Sequence, residues 1–401
     1  MDPDLVIVGA GAMGGWTALR AIERGHRVVL VDAFGPGDPR ATSSDQTRIL
    51  RASHGADAFY PGWAMAARTD WIELGNELGE PIFEATGVAW FAHRADGFEA
   101  VSEATLRTLG IPVERMTTTE AATRWPAIAT DDLAFVLYEP ECGALRARAG
   151  VLAVAEAFRR RGGDIRVERV MPGRAAGRRL EAIITEAGDR IGGETFVFAT
   201  GPWLLRLFPD LLDHLISVTR QEVFYLGRPA AEGPAHSTAM PTWIDFDRAI
   251  YGIPSIAGGG AKVASDAYGP AFDPDTGDRR ADERGLIALR AYLAERMPAL
   301  AGGPLVDARV CQYEATPDTH FVIDRHPAFD NVWIVGGGSG HGFKHAPQIG
   351  RHVVGLIEGS GPADGNAPPD DRFSLLRPRR AQPGMRSGAD TPRPAGSGKP
   401  I

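Results

Sequence analysis

Leu5-Val6-Ile7-Val8 is an apolar run with no polar alternation, the pattern of a strand buried on both faces of a parallel sheet. A glycine-rich turn follows, Gly9-Ala10-Gly11-Ala12-Met13-Gly14, and then a helical stretch over 15–24 that Gly25 stops. Residues 28–31 form a second buried run and end in Asp32. The pattern predicts β-α-β within residues 5–32. Further along, helical periodicity covers 63–78, 146–161 and 282–297, with Gly162-Gly163 closing the second. Short strands are expected at 88–91, 135–138, 165–170 and 180–185. An apolar strand from Thr195 runs into the small turn Thr200-Gly201-Pro202-Trp203. Another strand, 332–335, runs into Gly336-Gly337-Gly338-Ser339-Gly340-His341-Gly342, and a helical stretch lies near 349–357. From 361 to 401 proline, glycine and arginine dominate, which predicts a disordered tail.

Composition narrows the class. The chain has 401 residues, 44% hydrophobic and 23% charged, enough for about two domains with a sizeable core. A net charge of -8 argues against a nucleic-acid surface. No run approaches the ~18 apolar residues of a membrane helix. The acidic N-terminus, broken by Gly9 and Gly11, does not read as a secretory signal. Two cysteines, Cys142 and Cys311, are too few for a disulfide framework, and a cytoplasmic location is expected. No Cys/His pair is read at zinc spacing, so no metal is expected.

The first glycine loop has a mechanical reading. Gly9 permits the tight turn, Gly11 leaves room for a pyrophosphate, and Gly14 lets helix and strand approach. The helix N-terminus offers N–H groups and a positive dipole end to phosphates. Asp32 is placed to accept ribose hydroxyls, which favours an unphosphorylated adenosine ribose. This loop alone does not separate NAD from FAD. The Thr200-Gly201 turn and the Gly338 to Gly342 loop suggest a dinucleotide held along its whole length by several segments, which points to FAD.

Five motifs, in this order, carry a family likeness: Gly9 to Gly14; Gln46-Thr47-Arg48-Ile49-Leu50-Arg51; Tyr251-Gly252-Ile253-Pro254-Ser255 with Lys262; Cys311-Gln312-Tyr313 with Thr316-Pro317-Asp318; and Ser339-Gly340-His341-Gly342-Phe343-Lys344. On them the chain resembles the monomeric sarcosine oxidase and N-methyltryptophan oxidase group of the D-amino-acid-oxidase-like flavoenzymes, over roughly residues 5–358. The resemblance implies an α/β chain, α+β overall. A Rossmann-like FAD-binding domain would comprise 1–79, 143–212 and 321–360. A discontinuous, sheet-rich substrate domain would comprise 80–142 and 213–320.

It also implies roles for particular residues. Cys311 matches the cysteine that forms a thioether to the flavin; the thiolate is the attacking form. Cofactor contacts carry over to Gly9, Gly11, Met13, Gly14, Asp32, Ser43, Thr47, Arg48, Thr200, Gly201, Trp203, Gly338, Gly340, His341, Gly342, Phe343 and Lys344. Arg51 and Lys344 match a clamp for the substrate carboxylate, arginine by a two-pronged hydrogen bond and lysine as a point charge. Tyr251 and Tyr313 match positions over the substrate. Arg48 matches a position near the flavin's polar edge, with a loop salt bridge as the alternative. Lys262 matches the lysine that assists oxygen. A cation ~4 Å from a forming anion, at an effective dielectric of ~20, is worth up to ~4 kcal/mol. Two positions depart from the family pattern: Ser44 and Asp266 each stand where a histidine is usual. Asp266 would line the substrate pocket, where an acid either holds a cationic group or faces solvent. His341 and His320 are read as structural rather than as general bases.

The activity implied is oxidation of a small amino acid, N-alkylated or cyclic, to an imine, with O₂ reduced to hydrogen peroxide by a monomer. Two alternatives stay open: a dehydrogenase using another acceptor, and a non-catalytic flavin-binding subunit.

Overall fold

The computed structural model describes residues 2–227, 240–359 and 371–377. Two large sheets organise these mixed α/β residues. The first has six strands, in the order Val322–Arg325, Val332–Gly336, Thr195–Phe198, Leu5–Val8, Val28–Asp32, Asp164–Val167. All neighbours are parallel except the edge strand Val322–Arg325. Parallel neighbours need crossover connections, and helices supply two of them. Ala12–Glu23 joins Leu5–Val8 to Val28–Asp32, and Gly342–Glu358, Phe59–Leu78 and Ala147–Arg160 pack into the same layer. Leu5, Ile7, Leu30, Trp16, Trp71, Val197 and Ile349 fill the space between sheet and helices.

The second sheet has eight strands, Leu305–Ala315, Ser217–Leu226, Ala261–Ser265, Ile250–Ile253, Thr242–Asp245, Val88–Ala92, Phe135–Glu139 and Glu114–Met116. It is antiparallel except where Thr242–Asp245 meets Val88–Ala92. A helix, Glu283–Arg296, covers one face through Leu289, Tyr292 and Leu293. A smaller sheet, Thr47–Leu50, Gly143–Arg146 and Phe83–Glu84, lies in the chain between the two.

Four expectations need revision. The strand expected over 180–185 is two pieces, Arg179–Leu180 and Ala182–Thr185, in different sheets. The strand expected over 165–170 is two pieces, Asp164–Val167 and Val170–Pro172, in different sheets. The helix expected near 349–357 begins at Gly342, despite Pro347 inside it; proline in the second turn of a helix forfeits one backbone bond. The expected tail is not uniformly structureless. Phe373 is buried against Tyr60, Trp63 and Phe321, and Leu375 is buried with Phe198 and Ile334. Arg377 makes a buried, two-pronged ion pair with Asp318, at 2.6 and 2.9 Å. Arg372 adds an ion pair with Asp57 at 2.9 Å, and Ser374 and the Leu375 N–H donate to Asp324, so 371–377 is docked although the surrounding composition is biased. Residues 361–370 and 378–401 of that expectation lie outside the described residues.

Candidate active site

Two adjoining cavities occupy the junction of the two large sheets. The larger, about 360 Å³, lies at the carboxyl ends of the parallel strands, where open α/β sheets bind ligands. Its lining includes Gly9, Gly11, Met13, Asp32, Ser43, Thr200, Gly201, Trp203, Gly338, Gly340, Gly342 and Phe343. The smaller, about 110 Å³, is lined by Arg51, Tyr251, Lys262, Asp266, Cys311, His341 and Lys344 among others. Arg48, Tyr313, Ser339, Gly340 and Phe343 line both. Gly14 and Thr47 line neither. A Cβ on Gly14 would lie 1.9 Å from the Gly9 carbonyl oxygen, so Gly14 sets the helix–strand approach. Thr47 acts through its carbonyl, which accepts from Lys262 at 3.1 Å and Arg48 at 2.8 Å.

The large cleft suits a dinucleotide. Gly9 has φ +110°, and a Cβ there would lie 2.3 Å from the Ala199 carbonyl oxygen. Helix Ala12–Glu23 starts at Gly11, which gives no side-chain cap, and the Ala12 N–H donates to Ser43 Oγ at 3.0 Å. Both Asp32 oxygens accept backbone N–H groups, from Ala10 at 2.7 Å and from Phe34 and Gly35 at 2.8 and 2.9 Å. These bonds fix the carboxylate at the cleft wall. Thr42 Oγ1, Thr200 Oγ1 and Glu314 Oε2 are buried without a partner among the described residues, and all three residues line the cleft. Unmet polar atoms along a glycine-rich cleft fit a polyhydroxyl, diphosphate ligand such as FAD. Ser339 is held at φ +47°, a costly conformation for a non-glycine residue. Its hydroxyl donates to the Gly337 carbonyl at 2.9 Å and accepts from the Thr316 N–H at 3.1 Å.

The small cavity is built from strand alternation and one helix start. Cys311 and Tyr313 stand two apart on Leu305–Ala315, hence on one face. Arg48 Nη2 donates to Cys311 Sγ at 3.3 Å, which puts a fixed positive charge beside the sulfur. Tyr313 donates to Asp266 Oδ1 at 3.1 Å. Lys262, 1% exposed, forms an ion pair with Asp45. Arg48 reaches the same Asp45 oxygen at 2.6 Å, and Tyr225 donates to the other. Burial opposes the Asp45 charge, but Lys262 and Arg48 overcome it and hold its pKa well below the usual carboxylate range. Burial lowers Lys262, and Asp45 works against that shift. Arg48 is therefore both a salt-bridge partner and a wall of each cavity.

Arg51 and Lys344 have no such partner. Neither forms an ion pair with a described residue. Arg51 donates to the Ser53 carbonyl and lies over Trp90, 5.3 Å from the ring centre. Lys344 donates to the His341 carbonyl at 3.2 Å. Burial lowers Arg51 to about 10, with Glu139 opposing. Burial, reinforced by Arg51, pushes Lys344 well below the ordinary lysine value. Glu139 is occupied by the N–H groups of Ala52 and Ser53 and by Trp90 Nε1, at 2.6, 3.1 and 2.7 Å.

The sequence reading passed over several residues. Asp45 organises Lys262 and Arg48; its only local signal is its position three before Arg48. Glu314 alternates with Tyr313 along the strand, and burial pushes its carboxyl up to about 7. His341 and His345 stand four apart, a spacing seen in zinc sites that the sequence reading did not register, and His54 joins them in space. His341 is held by the Thr319 carbonyl, 2.9 Å from Nε2, and His320 Nδ1 by the Tyr60 hydroxyl at 2.9 Å.

Residues 4–356 match the family model described as FAD dependent oxidoreductase. A monomeric sarcosine oxidase from a Bacillus species, strain B-0618, is 31% identical over 367 residues, covering 87% of this chain and 90% of its own. An N-methyl-L-tryptophan oxidase from Yersinia pestis is 26% identical, covering 88% and 94%. Among solved structures, L-proline dehydrogenase from P. horikoshii superposes with a TM-score of 0.81 at 19% identity, over 94% of this chain and 97% of that one. Glycine oxidase from Geobacillus kaustophilus gives 0.78 at 22%, over 94% and 100%. These two likenesses show a shared fold.

Proposed function

Because the chain belongs to the family of FAD-dependent oxidoreductases, we propose that it is an oxidase of a small, N-alkylated or cyclic amino acid. The observation that carries this reading is the pair Arg51 and Lys344, two basic side chains without a carboxylate partner among the described residues, in a cavity that adjoins a dinucleotide cleft. An amino-acid carboxylate completes that pair. The chemistry that bound FAD supplies is two-electron oxidation of the substrate C–N bond and transfer of those electrons to O₂ as hydrogen peroxide.

The chain's own residues bind, orient and balance charge. Arg51 and Lys344 hold the carboxylate, so the amine is directed toward Tyr313 and Tyr251. Tyr313 is itself oriented by Asp266. Lys262 provides positive charge for the reduction of oxygen, shared through Asp45 with Arg48. Two cations on one carboxylate leave one net positive charge at that end. Cys311, with Arg48 against its sulfur, is the covalent anchor for the cofactor through a thioether. The same reading has the protein act as a monomer in the cytoplasm; no described helix is long and apolar enough to cross a membrane.

Intact mass of the denatured chain, taken with the visible spectrum of the native protein, tests the anchor. The expected result is a yellow protein whose chain is heavier by one FAD, with the added mass mapping to the Cys311 peptide. A yellow protein of unmodified mass removes the anchor and leaves FAD. Anaerobic mixing with N-methyl and cyclic amino acids tests the activity. Bleaching followed by rapid recovery in air supports an oxidase. Bleaching without recovery in air makes it a dehydrogenase, and no bleaching with any amino acid removes the reading.

A further inference from the structure

We propose that His54, His341 and His345 form a binding site for one transition-metal ion of the zinc type. One ring nitrogen from each lies within 4.8 Å of the other two. The ring centres form a nearly equilateral triangle with sides of 5.6, 5.8 and 5.9 Å. Tetrahedral zinc holds imidazole nitrogens at about 2.0–2.1 Å, hence about 3.4 Å apart, so each ring need move inward by less than about 1 Å.

The hydrogen bonds set the tautomers as a metal requires. His54 Nδ1 lies 2.8 Å from the Ala52 carbonyl oxygen, and His341 Nε2 lies 2.9 Å from that of Thr319. A carbonyl oxygen only accepts, so those nitrogens carry the hydrogens. The lone pairs are left on His54 Nε2 and His341 Nδ1. Both atoms are buried without a partner among the described residues, as are both nitrogens of His345. Backbone carbonyls behind the rings are the usual outer shell of metal-bound histidines. Burial keeps the three imidazoles neutral, which is the ligating form.

Two distant pieces of chain make the triangle. His54 comes from the loop after Thr47–Leu50. His341 caps the helix Gly342–Glu358, and His345 lies in its first turn. Tyr60, Trp63 and Phe321 pack against the rings and form an apolar wall. His54 and His341 also line the small cavity, which gives the ion its way in. Arg51 and Lys344 oppose any cation here. That repulsion selects against hard ions such as Mg²⁺, which gain little from imidazole, and leaves those that bind nitrogen strongly. The proposal stands apart from the oxidase reading, because its measurements do not involve turnover.

The test is calorimetric titration of the chelator-treated, flavin-loaded protein with Zn²⁺. One equivalent should bind, and His345→Phe, which keeps a ring in place, should weaken binding at least tenfold. His54→Gln should do the same, so the test survives if one variant misfolds. Co²⁺ added to the wild type should give the intense long-wavelength bands of a tetrahedral site. Zinc that binds wild type and both variants equally is on other histidines and overturns the proposal. So does a wild type that binds no zinc, or Co²⁺ bands of the weak octahedral kind.

Discussion

Two pairs of cations line the same small cavity, and they differ in one carboxylate. Lys262 and Arg48 share Asp45. Arg51 and Lys344 share nothing negative among the described residues, and their nearest acid, Glu139, is turned to the backbone of Ala52 and Ser53. Sequestering a cation costs several kcal/mol unless a partner offsets it. The first pair is thus complete within the fold. The second is held in place by the fold and completed from outside. A buried charge with a partner reports on architecture; one without reports on a ligand.

The comparison can be broken most sharply at Asp45. Asp45→Asn leaves two cations unmatched, and the expected loss of unfolding free energy is about 3–5 kcal/mol. Urea unfolding measures it, and an unchanged midpoint would mean that the pair does not depend on its carboxylate. Next is Lys262→Met. Arg48 still engages Asp45, but the oxygen step loses its nearby charge. Reoxidation of the reduced protein by O₂ should slow by up to about three decades, from ~4 kcal/mol, with much less effect on anaerobic bleaching. Stopped-flow of the two half-reactions separates them, and equal slowing of both would assign Lys262 to amine oxidation instead.

Glu314 is the mirror case, a buried carboxyl with no cation in contact among the described residues. Its pKa in the fold is about 7, above the ordinary value of 4.5. The folded state then binds more protons than the unfolded between those values, so stability falls as pH rises from about 4.5 to about 7. Glu314→Gln removes that dependence. The variant should gain on wild type across that window, by up to about 3 kcal/mol at about 1.4 kcal/mol per pKa unit, and run parallel above it. A pH-independent difference between the two unfolding curves would refute this. The smallest effect is expected at Lys344. Lys344→Met should lower kcat/KM by about tenfold to a hundredfold, from a charged hydrogen bond worth about 1.5–3 kcal/mol. It should not destabilise the fold. A loss of stability as large as that of Asp45→Asn would erase the distinction between the pairs.

Local features of this molecule were legible in the sequence and distant ones were not. The unit from Leu5 to Asp32 is complete in itself: two apolar runs, a glycine turn and a terminal acid. Arg51 and Lys344 are reached through motif likeness, because nothing in their immediate neighbours distinguishes them from surface cations; Lys262 is marked only by the Gly258-Gly259-Gly260 run before it. Asp45 sits in a polar loop with no periodicity, and its partner Lys262 is 217 residues away. His54 is farther still from His341 in sequence. Composition misled for 371–377, because Phe373 and Leu375 are too few to register in an average yet enough to seal a core.

That last segment has a consequence for biosynthesis. Arg377 fastens Asp318 and also donates to the carbonyls of His320 and Phe321, at 3.0 and 2.9 Å. Leu5–Val8, among the first residues made, waits for Thr195–Phe198 before its second neighbour exists. The loop over residues 316–321, whose Thr319 lines the small cavity, waits longer still, for Arg377, which is translated after every described helix. A nascent chain that has not yet presented Arg377 therefore lacks the side chain that fastens this loop, so one wall of the small cavity is set only after every strand of both large sheets has been made.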